Sequence, residues 1–382
     1  MSETPQERAE ALVGRTLGGR FRLEALIGQG AMGAVFRASH AQQRELAVKT
    51  LDPEMMGGEH AKRFLRESEL VRGLRDPHIV PSLGAGIDRD TGLLYLVMPL
   101  LHGRDLEKVL EEVTALEPET AVRVALQAAR GLSAAHQLGI VHRDVKPGNL
   151  MLEQEDGRVV VRVCDFGIAK RVGGGDHSLT RTGKPLGTPD YVAPEQLKSS
   201  KHVDQRADVW SLGATLYQML CGSPPFSHIE SVFDLITAIV SEPVPPLQDR
   251  APWVDPTLAL AVHRALERDP ARRYASVGEF ADAIRPFSRG EEHITAGELR
   301  SVAPETQRKR LARLELEPDG KPTSVPAPNP PKPSAPSPPP SATAPARPRG
   351  SARRTFIMVL AVFSAAMAGG TAYYLARLML TP

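Results

Sequence analysis

The segment Val141-His142-Arg143-Asp144-Val145-Lys146-Pro147-Gly148-Asn149 brings a carboxylate, an ammonium and an amide oxygen into one short loop. Each has a use in moving a phosphoryl group. A carboxylate such as Asp144 orients or accepts the proton of an attacking hydroxyl, a lysine such as Lys146 neutralises the group in flight, and an amide oxygen such as that of Asn149 suits magnesium. A second metal ligand stands in Cys164-Asp165-Phe166-Gly167. Magnesium takes hard oxygen donors and keeps several waters, so Asp165 and Asn149 with phosphate oxygens make a sufficient set. Cys164 closes an apolar run and reads as a small core residue, not a reactive thiol.

These groups need elements to hold them. Residues 21–27 alternate like a strand and lead into Gly28-Gln29-Gly30-Ala31-Met32-Gly33-Ala34-Val35. Glycines spaced this way let a backbone approach phosphates, and in a dinucleotide fold the last of them would open a helix. Here residues 35–38 and 45–49 read as two further strands, which places the glycines in a hairpin. Lys49 follows Leu46-Ala47-Val48, so its stem is expected to be buried and its ammonium to need a partner. Glu67 is the candidate, on an amphipathic stretch over 61–74 where Phe64, Leu65, Leu70, Val71 and Leu74 recur at helical spacing, with Glu69 as a solvated alternative. Tyr95-Leu96-Val97-Met98 reads as a buried strand.

Taken in order, the Gly-rich hairpin, Lys49, Glu67, the Asp144 loop, Asp165-Phe166-Gly167 and Ala193-Pro194-Glu195 resemble the eukaryotic-like Ser/Thr protein kinases of bacteria, over residues 21–287. The resemblance implies an α+β bilobal fold, with a small five-stranded lobe and one helix above a larger helical lobe. ATP and Mg2+ would lie between. It assigns Asp144, Lys146, Lys49 and Glu67 to catalysis, Asn149 and Asp165 to the metal, and Ile27, Gly28, Gly30, Gly33, Val35 and Lys49 to the nucleotide. Met98 falls at the gatekeeper position and Pro99 to Leu101 at the hinge. Pro99 departs from the usual acidic residue, but adenine is met there by a carbonyl and by the N–H of Leu101, so proline's missing donor is not the one required. Asp105 falls either at a ribose contact or at a helix start. Asp208 is expected to brace the catalytic loop, and Arg273 to pair with Glu195. Lys146 and Gly187-Thr188-Pro189 point to Ser/Thr hydroxyls on protein substrates. Thr180 and Thr182, in a glycine-rich activation segment, are the expected autophosphorylation sites, with Arg143 as part of the phosphate pocket and a homodimer as the route. The alternative is a pseudokinase scaffold at the membrane.

The remaining sequence sets the surroundings. A formal charge of +2 over 382 residues gives no electrostatic case for nucleic acid. The two cysteines suit a reducing compartment, and the eleven histidines lack zinc-ligand spacing. Residues 1–20 read as an N-terminal segment without a signal peptide. Residues 288–320 are charged and patchily helical, and the basic cluster at Arg308-Lys309-Arg310 reads as a solvated face or a membrane-surface contact. Residues 321–354 are rich in Pro, Ala and Ser and read as a disordered linker whose proline-dense part reaches roughly 90 Å at about 3.1 Å per residue. Residues 355–376 then read as a transmembrane helix, since an uncharged run of about 21 residues spans a bilayer core at about 1.5 Å each. Arg347, Arg349, Arg353 and Arg354 before it outweigh Arg377 after it. That bias puts the kinase domain on the cytoplasmic side of the cell membrane, with residues 377–382 as a short extracytoplasmic tail.

Overall fold

The computed structural model describes residues 4–30, 33–41, 43–51, 58–166, 189–198, 203–290, 292–309, 311, 313–316 and 322–325. The side chain of Glu67, all of Thr180, Thr182 and Thr188, and the stretch expected to cross the membrane lie outside the described residues.

Two lobes follow the chain in order. The first is an antiparallel sheet with strand order β1-β2-β3-β4-β6-β5. Its strands are β1 (Thr16–Leu17), β2 (Phe21–Gly30), β3 (Gly33–His40), β4 (Gln43–Leu51), β5 (Gly84–Ile87) and β6 (Leu94–Pro99). Leu23, Phe36, Leu46, Val48 and Val97 are buried on one face of it, as period-two alternation requires. The β2–β3 hairpin closes on Gly33, which has φ +146, and a Cβ there would lie 1.8 Å from the Thr50 carbonyl oxygen, so only glycine fits. Helix α2 (Gly58–Arg72) buries Phe64 and Val71.

This lobe is larger than five strands and one helix. The N-terminal segment folds onto it as α1 (Pro5–Glu10) and β1, with Ala9 and Leu17 in its core. The start of α1 is set by a capping box between Thr4 and Glu7, with Pro5 in the first turn. The Gly18 N–H donates to Asp88 Oδ1 at 2.8 Å, fixing the segment to the loop after β5.

The second lobe is mainly helical, with α3 (Leu106–Glu112), α4 (Pro118–Gln137), α5 (Pro194–Lys198), α6 (Arg206–Cys221), α7 (Val232–Ser241), α8 (Leu247–Arg250), α9 (Pro256–Ala265) and α10 (Val277–Ile284). Helix α6 is buried nearly all round, the pattern of a central core helix. It stops at Gly222, with φ +90, where a Cβ would lie 2.0 Å from the Thr114 carbonyl oxygen. Facing the first lobe is a small sheet of β7 (Gly103–Asp105), β8 (Leu150–Glu155) and β9 (Arg158–Val163), in the order β7-β8-β9.

The segment read as 288–320 does not stand apart from this lobe. Ile294 and Val302 are buried, Val159 N–H donates to the Ile294 carbonyl at 2.7 Å, and Val302 N–H donates to that of Ala115 at 2.7 Å. A short helix α11 (Pro304–Gln307) and a hairpin of β10 (Arg313–Leu316) with β11 (Pro322–Val325) follow. The hairpin takes in the first residues of the expected linker, because Leu314, Leu316, Thr323 and Val325 alternate as strands do before proline becomes dense. Among the described residues, no helix is long and apolar enough to cross a membrane.

Candidate active site

The catalytic loop is short and sits between α4 and β8, so its shape depends on what holds its backbone. Asp208, near the start of α6, is 0% exposed and accepts from His142 N–H at 2.8 Å and Arg143 N–H at 2.7 Å. His136 Nε2 lies 2.7 Å from the same carboxylate. These bonds hold Arg143 at φ +66, a conformation that a non-glycine residue keeps only when its surroundings impose it. Gln196 Nε2 donates to the Arg143 carbonyl at 2.9 Å. Asp208 thus has the bracing place expected of it, whereas His136 and Gln196 were not singled out from the sequence.

Asp144 follows directly. Its N–H donates to His142 Nδ1 at 3.2 Å, which leaves His142 Nε2 as the protonated nitrogen, donating to the Cys164 carbonyl at 2.8 Å. The His142 ring packs on Phe166 with centroids 4.7 Å apart. One imidazole therefore ties the catalytic loop to the strand end that carries Asp165.

Asn149 Nδ2 donates to the Asp144 carbonyl at 2.7 Å and to its Oδ2 at 3.2 Å. With both amide protons turned to Asp144, the amide oxygen is left to accept. That orientation fits a magnesium ligand, and Asp165 adds a carboxylate, so the donor set suits the ion without a third protein ligand. Lys146 Nζ is 3.8 Å from Asp144 Oδ2, a long ion pair between groups that would act on opposite sides of one transfer.

Lys49 lies on β4, beside Val35 on β3 and Leu96 on β6. Its Nζ is 2.8 Å from Asp165 Oδ2. The expected partner Glu67 lies on α2, but its side chain falls outside the described residues, so the described partner of Lys49 is Asp165. Glu69, the alternative partner, is exposed and 3.5 Å from Arg72. Burial would lower the Lys49 ammonium, but Asp165 first, and then Cys164 and Asp144, more than offset it, so its pKa stands above the ordinary lysine value. Asp165 itself has φ +56.

The positions expected to meet the nucleotide fall on the β2–β3 hairpin, just past β6 and at the start of α3. The hairpin pairs Gly28 with Val35 and Gly30 with Gly33, and Ile27 is exposed on it. Beyond β6, Leu100 N–H donates to the Glu45 carbonyl, and Leu101 N–H is engaged by none of the described residues. Asp105 takes the helix-start role: its side chain accepts from Lys108 N–H at 2.8 Å and so caps α3. Cys164, expected in the core, is half-buried; desolvation first, then Asp165, pushes its thiol far above the ordinary cysteine range. Further out, Arg273 is 3% exposed and meets Glu195 through two bonds of 2.7 Å, the pairing anticipated from the sequence.

Comparison with known proteins agrees with this geometry. Residues 21–282 match the protein kinase domain family. Among curated proteins, the serine/threonine-protein kinase pkn3 of Myxococcus xanthus is 35% identical over 296 residues, covering 76% of this chain and 54% of that protein. PknH of Mycobacterium tuberculosis is 35% identical over 266 residues, covering 69% and 41%. The chain thus spans about half the length of the curated relatives it matches. Among solved structures, the Mycobacterium tuberculosis PknI kinase domain is 30% identical with a TM-score of 0.57, covering 72% of this chain and 98% of that one. Rad53 residues 1–466 in complex with AMP-PNP is 26% identical with a TM-score of 0.55, covering 70% and 65%. The chain belongs to the protein kinase family, alongside the bacterial serine/threonine kinases.

Proposed function

We propose that this protein transfers the γ-phosphoryl group of Mg-ATP to Ser or Thr hydroxyls of protein substrates. The observation that carries the reading is the contact of Lys49 with Asp165 and of Lys146 and Asn149 with Asp144, with Lys49 on the strand that pairs with the glycine hairpin. Asp144 accepts a hydrogen bond from the attacking hydroxyl and receives its proton as the new oxygen–phosphorus bond forms and the bond from the γ-phosphorus to the bridging oxygen breaks, ADP leaving. Lys146 offsets charge on the transferred group, and Lys49, released from Asp165 when the nucleotide enters, turns to its phosphates. Asn149 and Asp165 would hold magnesium, which supplies neutralisation of the phosphate oxygens when bound. Relatives named serine/threonine kinases, and a neighbour solved with an ATP analogue, support the substrate class.

Two finer readings belong with this one. Thr180 and Thr182 are the sites at which autophosphorylation, within a homodimer, switches the enzyme on, with Arg143 beside the base as a phosphate contact. The uncharged segment 355–376 anchors the kinase to the cytoplasmic face of the cell membrane in bacterial signalling, after a proline-rich spacer. The test is phosphotransfer from γ-labelled ATP to a generic protein substrate, followed by phosphoamino-acid analysis. Label on Ser and Thr with the wild type, and none with Asp144→Asn, is expected. Equal labelling by both proteins refutes the assignment.

A further inference from the structure

Strand β9 delivers Asp165, and its two edges are held differently. One edge pairs along its length with β8. On the other edge the N–H groups of Val159, Val161 and Val163 face outward at the alternate spacing of a strand, and each finds its acceptor on a different element. Val163 N–H donates to the His78 carbonyl at 2.8 Å. Val161 N–H donates to the side-chain oxygen of Gln127, on α4, at 2.8 Å. Val159 N–H donates to the carbonyl of Ile294, in the segment after α10.

The second and third of these trace to one place. Gln127 presents its oxygen to Val161 because its amide nitrogen donates to the Glu292 carbonyl at 2.8 Å, two residues from Ile294. The same segment is anchored on α4 by Arg123, which is 6% exposed and donates to the carbonyls of Ser288 at 3.3 Å and His293 at 3.2 Å and to Glu298 Oε1 at 2.8 Å. Arg130 also pairs with Glu292. Downstream, Glu117 Oε1 accepts from Ala303 N–H at 2.7 Å. This stretch lies beyond residue 282, where the match to the family ends.

We propose that residues 292–303 form a strap that positions Asp165 by closing the outer edge of β9, and that Gln127 is the positioning residue that joins strap to strand. Asp165 follows β9 by two residues and stands at φ +56, a geometry that persists only while its approach is fixed. A strand with one edge paired and the other loosened would slide or twist, carrying that carboxylate away from Asn149. The chemistry is that of a residue which orients a metal ligand without touching the metal. The inference rests on the phosphotransfer reading for its effect on activity, but not for its effect on the strand.

The experiment uses the full chain with Gln127→Met, which removes both side-chain bonds at similar length. Amide hydrogen exchange is read across residues 158–163, and the initial rate of phosphotransfer is read against free magnesium at saturating ATP. Faster exchange is expected at Val161 and also at Val159, whose acceptor is Ile294 and not Gln127. The half-saturating magnesium concentration is expected to rise about tenfold, the order seen when a supporting partner of a metal ligand is lost. Gln127→Glu keeps the acceptor for Val161 but sets a carboxylate against the Glu292 carbonyl. It should speed exchange at Val159 while sparing Val161, and it serves if the Met variant does not fold. Exchange confined to Val161 in Gln127→Met, or wild-type magnesium dependence in both variants, overturns the proposal. If the wild type itself transfers no phosphate, the functional reading fails, and the exchange arm still decides whether the strap holds β9.

Discussion

Asp208 offers the sharpest test of how the fold imposes catalytic geometry. It is fully buried and accepts from two backbone N–H groups and lies within hydrogen-bond distance of His136. Asp208→Ala leaves those donors without an acceptor. At about 1–3 kcal/mol for each unpaired buried donor, less what rearrangement recovers, the loss is about 3–5 kcal/mol. That is a large share of the about 5–15 kcal/mol that holds a typical domain. Asp208→Asn keeps one acceptor oxygen but turns an N–H donor toward the remaining donors, so its loss should be about 1–3 kcal/mol, small enough for kinetics on folded protein. The same bonds hold Arg143 at φ +66, a conformation costing about 1–3 kcal/mol that relaxes once they weaken. Asp144 is the next residue. A shift of about 1 Å at the base costs about 100-fold in kcat, while the KM for ATP should hold, because the hairpin and hinge are untouched. Urea unfolding measures the first quantity and steady-state kinetics the second. Wild-type unfolding midpoint together with wild-type kcat in Asp208→Asn would refute the reasoning.

Three other outcomes are expected. Lys49→Met removes the cation facing Asp165 and should lower kcat/KM by about 100-fold or more with the unfolding midpoint nearly unchanged; a rate within a factor of about two of wild type would contradict its role. Arg273→Met strands the Glu195 carboxylate and the Arg206 and Glu267 carbonyls that Arg273 now serves, so thermal or urea unfolding should register a loss of about 3–5 kcal/mol. Burial raises the thiols of both Cys164 and Cys221, so the thiol form persists well into alkaline pH and the reactive thiolate is scarce at pH 8. Alkylation of the folded protein at that pH should leave both largely unmodified until denaturant is added, and rapid native labelling of Cys164 would count against a raised thiol.

What could be read from the sequence was what is local in it. Asp144, Lys146 and Asn149 lie in one loop, and the glycines are flanked by strands with clear alternation, so residue type and spacing were enough. Asp208 and Arg273 were legible only through resemblance, since their partners His142, Arg143 and Glu195 lie far along the chain. The N-terminal helix carries a local signal in Thr4-Pro5-Gln6-Glu7, a capping box with proline in the first turn. The strap carried none. Arg123 and Gln127 sit on an apolar helix as isolated polar residues, and their acceptors are backbone carbonyls about 165 residues away, a relation that no periodicity encodes. Charge in residues 288–320 suggested solvent, yet Ile294 and Val302 are buried, with Arg123 satisfying the Ser288 and His293 carbonyls just before the first of them and the Glu298 carboxylate between them.

The outer edge of β9 also bears on solubility. A strand with three outward N–H groups in a row is a template for any extended chain, including the same strand in another molecule. In this protein His78 and Gln127, earlier in the chain, cover two of the three, but Val159 is covered by Ile294, so protection against sticking is completed only after residues beyond 282 have been synthesised. During translation, the Val159 end of β9 stays uncovered until Ile294 leaves the ribosome. A fragment ended at residue 282 would keep the residues assigned to catalysis but leave the Val159 N–H without its acceptor and Gln127 without Glu292, and such a fragment should be the more prone to self-association.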